Sequence, residues 1–456
     1  MLFVLLLMIL GILALSYMFT KDILSPSVLL SAVFCLACLF AIVGNITWGE
    51  TVSGKVVVVI SYGLFFILTG EIVGRWMIAK LRKKETMPLV RQGDLFEEIE
   101  LKEDELNGKH SSAIPYSKWL MGVLAAFCLL EIVLYYFEIL RLAKQVGYVA
   151  GQGSLLWYAR NAMLQGYGHP MWQTIMIFMM RGIGFVCLGL FIHNVLNEKG
   201  LWNGIKKNWL LIFPIVTLLL YNVLSTSRNG FIMIVVIVFF LAFERIRSVK
   251  KINIFVIGCI GVIAVCLFLA VFLLLGKLRG QMEEYAVLDL LTMYAGSPIV
   301  ALDKWLNADI VTQNAYFGAE SFIGMHTFIE RFFPSHISPP LFSENVMFAN
   351  GTLTNIYTGF RAWMGDFGFI GGMSLCMFIG LLFGLFYGFS VKKKYSKGVV
   401  LLKIVYAYHL YALIYAFATP EFTTMLLSIT HIFDMFFTCF VFYNIMLVPH
   451  QKRREE

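Results

Sequence analysis

The chain has 456 residues, 59% of them apolar and only 14% charged, with a formal net charge of +8. A soluble domain carries about a quarter charged residues, whereas here the apolar residues gather in blocks of about 18 to 24, enough to cross about 30 Å of hydrocarbon as helix. This excludes a soluble enzyme. No nucleic-acid-binding module accompanies the positive charge, so nucleic acid is excluded as a partner and the chain reads as an all-α polytopic membrane protein in contact with the lipid bilayer.

About eleven transmembrane helices are expected, at 2–19, 27–47, 55–75, 118–139, 171–194, 208–224, 229–245, 253–276, 367–390, 399–418 and 425–447. The first follows no basic n-region and precedes no small-x-small cleavage site, which predicts a retained span rather than a signal peptide. All eight cysteines fall inside apolar blocks, "CLAC" at Cys35 and Cys38 included, which argues against a disulfide framework or a zinc site. The 76–117 connection is basic, then acidic ("DLFEEIELKEDEL"), and reads as a solvated loop. It holds neither a phosphate-binding glycine loop nor an Asp-x-Asp pair, so nucleotide-sugar chemistry there loses support.

Most of the 36 lysines and arginines fall in alternate connections, starting with Lys21 and "RWMIAKLRKK" and ending with "VKKKYSK" and "QKRREE". By the positive-inside bias those connections are cytoplasmic, which sets the N-terminus out and the C-terminus in. The chain then divides into spans one to eight over 1–276, with a cytoplasmic loop at 76–117 and an outer loop at 140–170. A large extracytoplasmic loop follows at 277–366, and 367–456 holds the last three spans and a basic tail. Both outer loops are too long for simple connectors. The larger carries apolar residues at helical spacing ("AESFIGMHTFIERFF"), which predicts short helices at the membrane surface.

Arginine runs against the charge bias on this outer side: Arg160, Arg228, Arg279, Arg331 and Arg361. Guanidinium stays charged and offers a planar fork of donors that matches phosphate. Several of them at helix ends would hold a lipid diphosphate where its tail enters the bilayer; alternatively each snorkels to ordinary lipid phosphate or caps a helix. Arg228 sits in a tight turn that aims it over the bundle mouth. Arg361 and Asp366 precede the ninth span among glycines, Asp366 being either a helix cap or a carboxylate near the reacting groups. Asn355, Tyr357 and Thr358 offer partners for sugar hydroxyls. Glu320, His326 and Arg331 form another group, with His326 and Glu330 on one helical face and His336 read as a loop residue. Within the spans, Glu71 and Lys403 lie near ends and are expected to snorkel, while Glu131 and Arg181 are expected to pair.

Three stretches, "STSRNGFIM", "YAGSPIVALDKWL" and "YTGFRAWMGDFGFIGG", together with the layout of the spans, resemble the oligosaccharide repeat-unit polymerases, the Wzy-type O-antigen and capsule polymerases of bacteria. The resemblance implies a membrane glycosyltransferase on the outer face of the cytoplasmic membrane, acting on undecaprenyl-diphosphate-linked oligosaccharides. A chain-length regulator protein is implied as a partner. The resemblance carries catalytic roles to Arg228, Arg361 and Asp366; Arg160, Arg279, Glu320, His326, Arg331, Asn355 and Tyr357 are candidate substrate contacts on the reading of the residues themselves. Two fixed arginines would stabilise the departing diphosphate, so no metal and no cofactor is expected; Asp366, Glu320 or His326 would serve as general base. Two other readings stay open, an O-antigen-ligase-like glycosyltransferase and a lipid-oligosaccharide transporter or flippase. A transporter is expected to show internal repeats and broken helices with a midplane site, whereas no internal repeat is visible here and the polar residues gather at one membrane face.

Overall fold

A computed structural model describes residues 1–86, 113–151, 153–198, 200–249, 276, 287–308, 316–333, 335–336, 344–390, 397–426 and 428–446. In chain order the described helices are α1 (Leu2–Thr20), α2 (Pro26–Trp48), α3 (Gly54–Thr86), α4 (Lys118–Gln145), α5 (Leu155–Leu164), α6 (Met171–Asn197), α7 (Leu201–Lys207), α8 (Ile212–Leu224) and α9 (Arg228–Val249). These are followed by α10 (Val287–Leu291), α11 (Ser297–Asn307), α12 (Ile323–Phe332), α13 (Gly359–Ser390), α14 (Lys397–Ile414), α15 (Glu421–Leu426) and α16 (Ile429–Met446). A two-stranded antiparallel ladder, β1 (Val346–Met347) and β2 (Leu353–Thr354), interrupts the helices. The chain is an all-α multi-pass membrane protein apart from that ladder. Among the described residues eight helices are long and apolar enough to span, and a ninth if α7 and the helix after it, bent by 72°, count as one. The span expected at 253–276 lies outside the described residues.

Two compact units share the chain: one of residues 1–88, 286–393 and 409–432, the other of 89–285, 394–408 and 433–456. In the first, α3 and α13 pack backbone to backbone. A Cβ built on Gly70 would fall 2.0 Å from the Met377 carbonyl oxygen, one on Gly384 2.4 Å from that of Glu71, and Gly74 and Gly380 are equally crowded. Small residues four apart on both helices allow this approach, which lets dispersion and weak polar contacts hold spans together where lipid removes the hydrophobic drive. Gly70→Leu therefore forces the pair apart and costs about 1–3 kcal/mol or more, read as a lower melting temperature in detergent. Gly11→Ala on α1, where nothing lies within 4 Å, serves as the control and leaves the melting temperature unchanged or raised. Equal melting for Gly70→Leu and wild type would remove this packing argument.

The charges within the spans are placed differently from expectation. Glu71 does not snorkel. It is fully buried, takes hydrogen bonds from Ser25 Oγ (2.6 Å) and the Ser27 backbone N–H (2.8 Å), and pairs with Arg75 at 2.5 Å. The Arg75 guanidinium lies 4.2 Å over the Tyr387 ring, and the Tyr387 hydroxyl donates to Asp22 Oδ2 (2.5 Å). This network fastens the α1–α2 turn to α3 and α13.

In the second unit Lys403 is likewise buried and donates to Glu244 Oε1 at 2.6 Å. Arg181 pairs with Asp434 at 2.8 Å, not with Glu131, and the Tyr408 hydroxyl supports Asp434 at 3.0 Å. Glu131 takes a hydrogen bond from Gln173 Nε2 at 2.6 Å. Snorkelling fails for Glu71 and Lys403 because each has a buried opposite charge within reach, which offsets the desolvation that would otherwise drive it to the interface.

Two helical regions also differ. α13 is two helical segments joined at Gly368 (φ 66, ψ −179): the ninth expected span, 367–390, matches the segment beyond that break, and a further helical segment from Gly359 carries Arg361 and Asp366 ahead of it. The last expected span is α16 alone, with the separate short α15 before it.

Candidate functional site

At the end of the first unit where α2 stops and α3 starts, a cap of short elements is fastened down by polar contacts. Asp303 on α11 accepts from the Ser53 N–H (3.0 Å) and hydroxyl (2.5 Å). Glu50 pairs with Lys304 at 2.7 Å and accepts from the Ala349 N–H at 2.6 Å. Lys304 also donates to the Met347 carbonyl at 2.9 Å, so the β-ladder is held as well. Just ahead of α11, a π-helical turn at Thr292–Gly296 brings the Gly296 backbone against α2 at Phe40 and Ala41, a place where a side chain would collide.

Arg361 stands in the first turn of α13 beneath this cap, only 5% exposed. Its guanidinium carbon lies 4.5 Å over the Tyr357 ring and 5.7 Å from that of Trp305, and it forms an ion pair with Glu320. Asp366, little more than a turn further along α13, accepts from the Ser321 N–H (2.7 Å) and the Glu320 N–H (3.3 Å). One short turn is thus gripped twice, by its side chain at Arg361 and by its backbone at Asp366. Asp366 caps that turn and not its own helix, so of the two readings open from sequence the cap at the start of the ninth span is set aside. Phe317 and Phe322 pack on Phe367 (ring centroids 5.0 and 5.9 Å apart) and close the turn over α13. The Ser321 and Thr358 hydroxyls, on residues flanking this pair, are buried with no hydrogen-bond partner among the described residues. Buried hydroxyls are ordinarily satisfied, so these two are suited to a polar ligand.

Tyr357 donates through its hydroxyl to the Glu344 carbonyl (3.2 Å). Burial raises its pKa, with the Arg361 charge opposing, so the ring is a neutral aromatic face for the guanidinium. Asn355 is exposed two residues earlier. His326 on α12 is buried, its Nδ1 3.0 Å from His336 Nε2 and its Nε2 3.3 Å from the Phe317 carbonyl. The Tyr316 ring lies against both imidazoles. His336, expected to be a plain loop residue, is therefore the partner of His326. Arg331 lies on α12 as well.

The remaining arginines are elsewhere. Arg160 is exposed on α5 of the second unit. Arg228, also in the second unit, opens α9 and is buried. It follows a turn in which Thr226 takes a left-handed conformation (φ 51) and the Ser227 N–H donates to the Asn222 carbonyl at 3.0 Å. The sequence aims Arg228 outward over the bundle mouth; its burial sets it back within the packing of its own unit. Arg279 lies outside the described residues.

Trp305 and Glu421 were not singled out from sequence. Trp305 reaches Arg361 from a helix about 55 residues earlier, a distance at which no local pattern operates. Glu421 opens α15, and "TPE" at Thr419–Glu421 is a helix-start signature that could have drawn attention to it. Compared with protein-family models, curated proteins and solved structures, the chain matches none.

Proposed function

We propose that the protein is a membrane glycosyltransferase that polymerises undecaprenyl-diphosphate-linked oligosaccharide repeat units into O-antigen, capsular or exopolysaccharide on the outer face of the bacterial cytoplasmic membrane. In this reading it has eleven spans, with its N-terminus out and C-terminus in, and works beside a chain-length regulator. The observation that carries it is the Arg361 site: a buried guanidinium, held between an aromatic face and a carboxylate, at a helix mouth flanked by buried hydroxyls that have no partner among the described residues. Such a group offers a preorganised charge for a departing diphosphate, in surroundings where it is worth several kcal/mol of barrier. Exposed Asn355 and the two hydroxyls are suited to sugar. The resemblance of "YTGFRAWMGDFGFIGG" and the two other stretches to repeat-unit polymerases supports the same conclusion.

A ligase-like transfer to a different acceptor is the second reading, favoured by the His326–His336 pair in the same unit. The test is expression in a strain lacking this chain but supplied with flipped, single-unit lipid. Polymerisation gives a ladder of lipid-linked glycans on a gel. Single-unit lipid left unextended, with a product appearing on another acceptor, selects ligation. No change in either pool overturns glycosyl transfer altogether.

A further inference from the structure

We propose that Glu421 is the general base of the transfer, taking the proton of the attacking sugar hydroxyl; this rests on the glycosyltransferase reading. The bases suggested by sequence are already committed. Glu320 is paired with Arg361, Asp366 spends both oxygens on backbone N–H groups, and both ring nitrogens of His326 are engaged, by His336 and the Phe317 carbonyl. Each of these groups already has acceptor atoms engaged by the protein.

Glu421 is different. Its one hydrogen bond among the described residues comes from the Thr419 hydroxyl to Oε2 at 3.2 Å, which leaves Oε1 uncommitted. The side chain is partly exposed. The start of α15 adjoins the arginine site. Thr419 and Pro420 backbone atoms lie 3.2 Å from where a Cβ on Gly359 would be, and Trp363 Nε1 donates to Thr423 Oγ1 at 3.1 Å. The start of α15 is therefore pinned to the turns of α13 that carry Arg361. On the other side Gly324 of α12 packs against Thr424 and Ser428. Burial raises the Glu421 carboxyl above the ordinary glutamate range, with the Thr419 hydrogen bond opposing, which brings a carboxylate nearer the pH at which a base works best. The titratable or charged groups on the elements packed against α15 are Arg361, Asp366, Cys376 and Tyr387 on α13, His326, Glu330 and Arg331 on α12, and Tyr415 in the turn before it.

In the step itself the acceptor hydroxyl oxygen bonds to the anomeric carbon of the lipid-linked chain. The bond from that carbon to the diphosphate oxygen breaks, and its electron pair leaves with the diphosphate, facing Arg361. The hydroxyl proton passes to Glu421 and then to water. A base acts unprotonated, so activity is lost as pH falls through the raised pKa.

The test uses the full chain in nanodiscs with a lipid-diphosphate-linked repeat unit as substrate and undecaprenyl diphosphate as binding probe. Expected for Glu421→Gln is a kcat lower by about 10²–10⁴-fold, KM within about threefold of wild type, no acid inflection, and undiminished probe binding. Glu421→Asp retains part of the rate with a shifted inflection. Wild-type kcat in Glu421→Gln, or loss of probe binding together with kcat, overturns the assignment and leaves the transferase reading standing. A wild type that extends no unit overturns both.

Discussion

If the chain is the proposed polymerase, Arg361→Ala is expected to hold extension near a single repeat unit, with kcat lower by about 10²–10³-fold, the cost of removing one preorganised donor from a transition-state anion. Arg361→Lys keeps the charge yet recovers little of the rate, because a lysine supplies neither the planar fork nor the stack on Tyr357 that fixes the guanidinium. The effect must be separated from loss of structure, since Arg361 also holds the 316–322 turn through Glu320. A double variant, Arg361→Ala with Glu320→Ala, removes both partners and avoids leaving a carboxylate uncompensated. It is expected to melt near wild type in detergent and to remain inactive. Activity regained in the double variant would reduce Arg361 to an anchor for the turn.

The largest effect on stability is expected at Glu71, far from this chemistry. Glu71→Ala leaves the half-buried Arg75 without its counter-charge and deprives Ser25 Oγ and the Ser27 N–H of their acceptor. Breaking a buried pair from one side costs about 3–5 kcal/mol. Glu71→Gln retains acceptor capacity and loses less. Thermal unfolding in detergent measures both, and turnover per folded molecule stays at the wild-type value. A Glu71→Ala protein that melts with wild type would show the network to be ornamental.

Hydropathy made the spans legible because crossing a bilayer is a one-dimensional demand: Leu2–Thr20, Pro26–Trp48 and Met171–Asn197 begin and end within about three residues of where apolar content starts and stops. At α13 it found the segment beyond the Gly368 break and missed the helical segment from Gly359, whose two charges interrupt the apolar run. Pairing of charges was illegible for a related reason. Arg181 was matched with Glu131 from their shared depth in the membrane, but its partner Asp434 lies on a helix some 250 residues later, and depth alone does not choose between acids. The Arg361 site was read in part. Arg361, Asp366, Glu320 and Tyr357 do come together, while Arg228 and Arg160 belong to the other unit. Whether a carboxylate is free to act as a base depends on which neighbours have already claimed it, and that is a property of packing, not of spacing.

The pairing of α3 with α13 sets a schedule for biosynthesis. The glycine groove on α3 emerges about 300 residues before the helix that fills it, which at 5–20 residues per second is roughly 15–60 s of translation. Through that interval Gly70 and Gly74 lie in the membrane without their partner, and the whole of the second unit up to Tyr285 is inserted in the meantime. A chain released by a stop codon before Gly359 would thus carry a groove with nothing to fill it, a feature that membrane quality control is placed to detect.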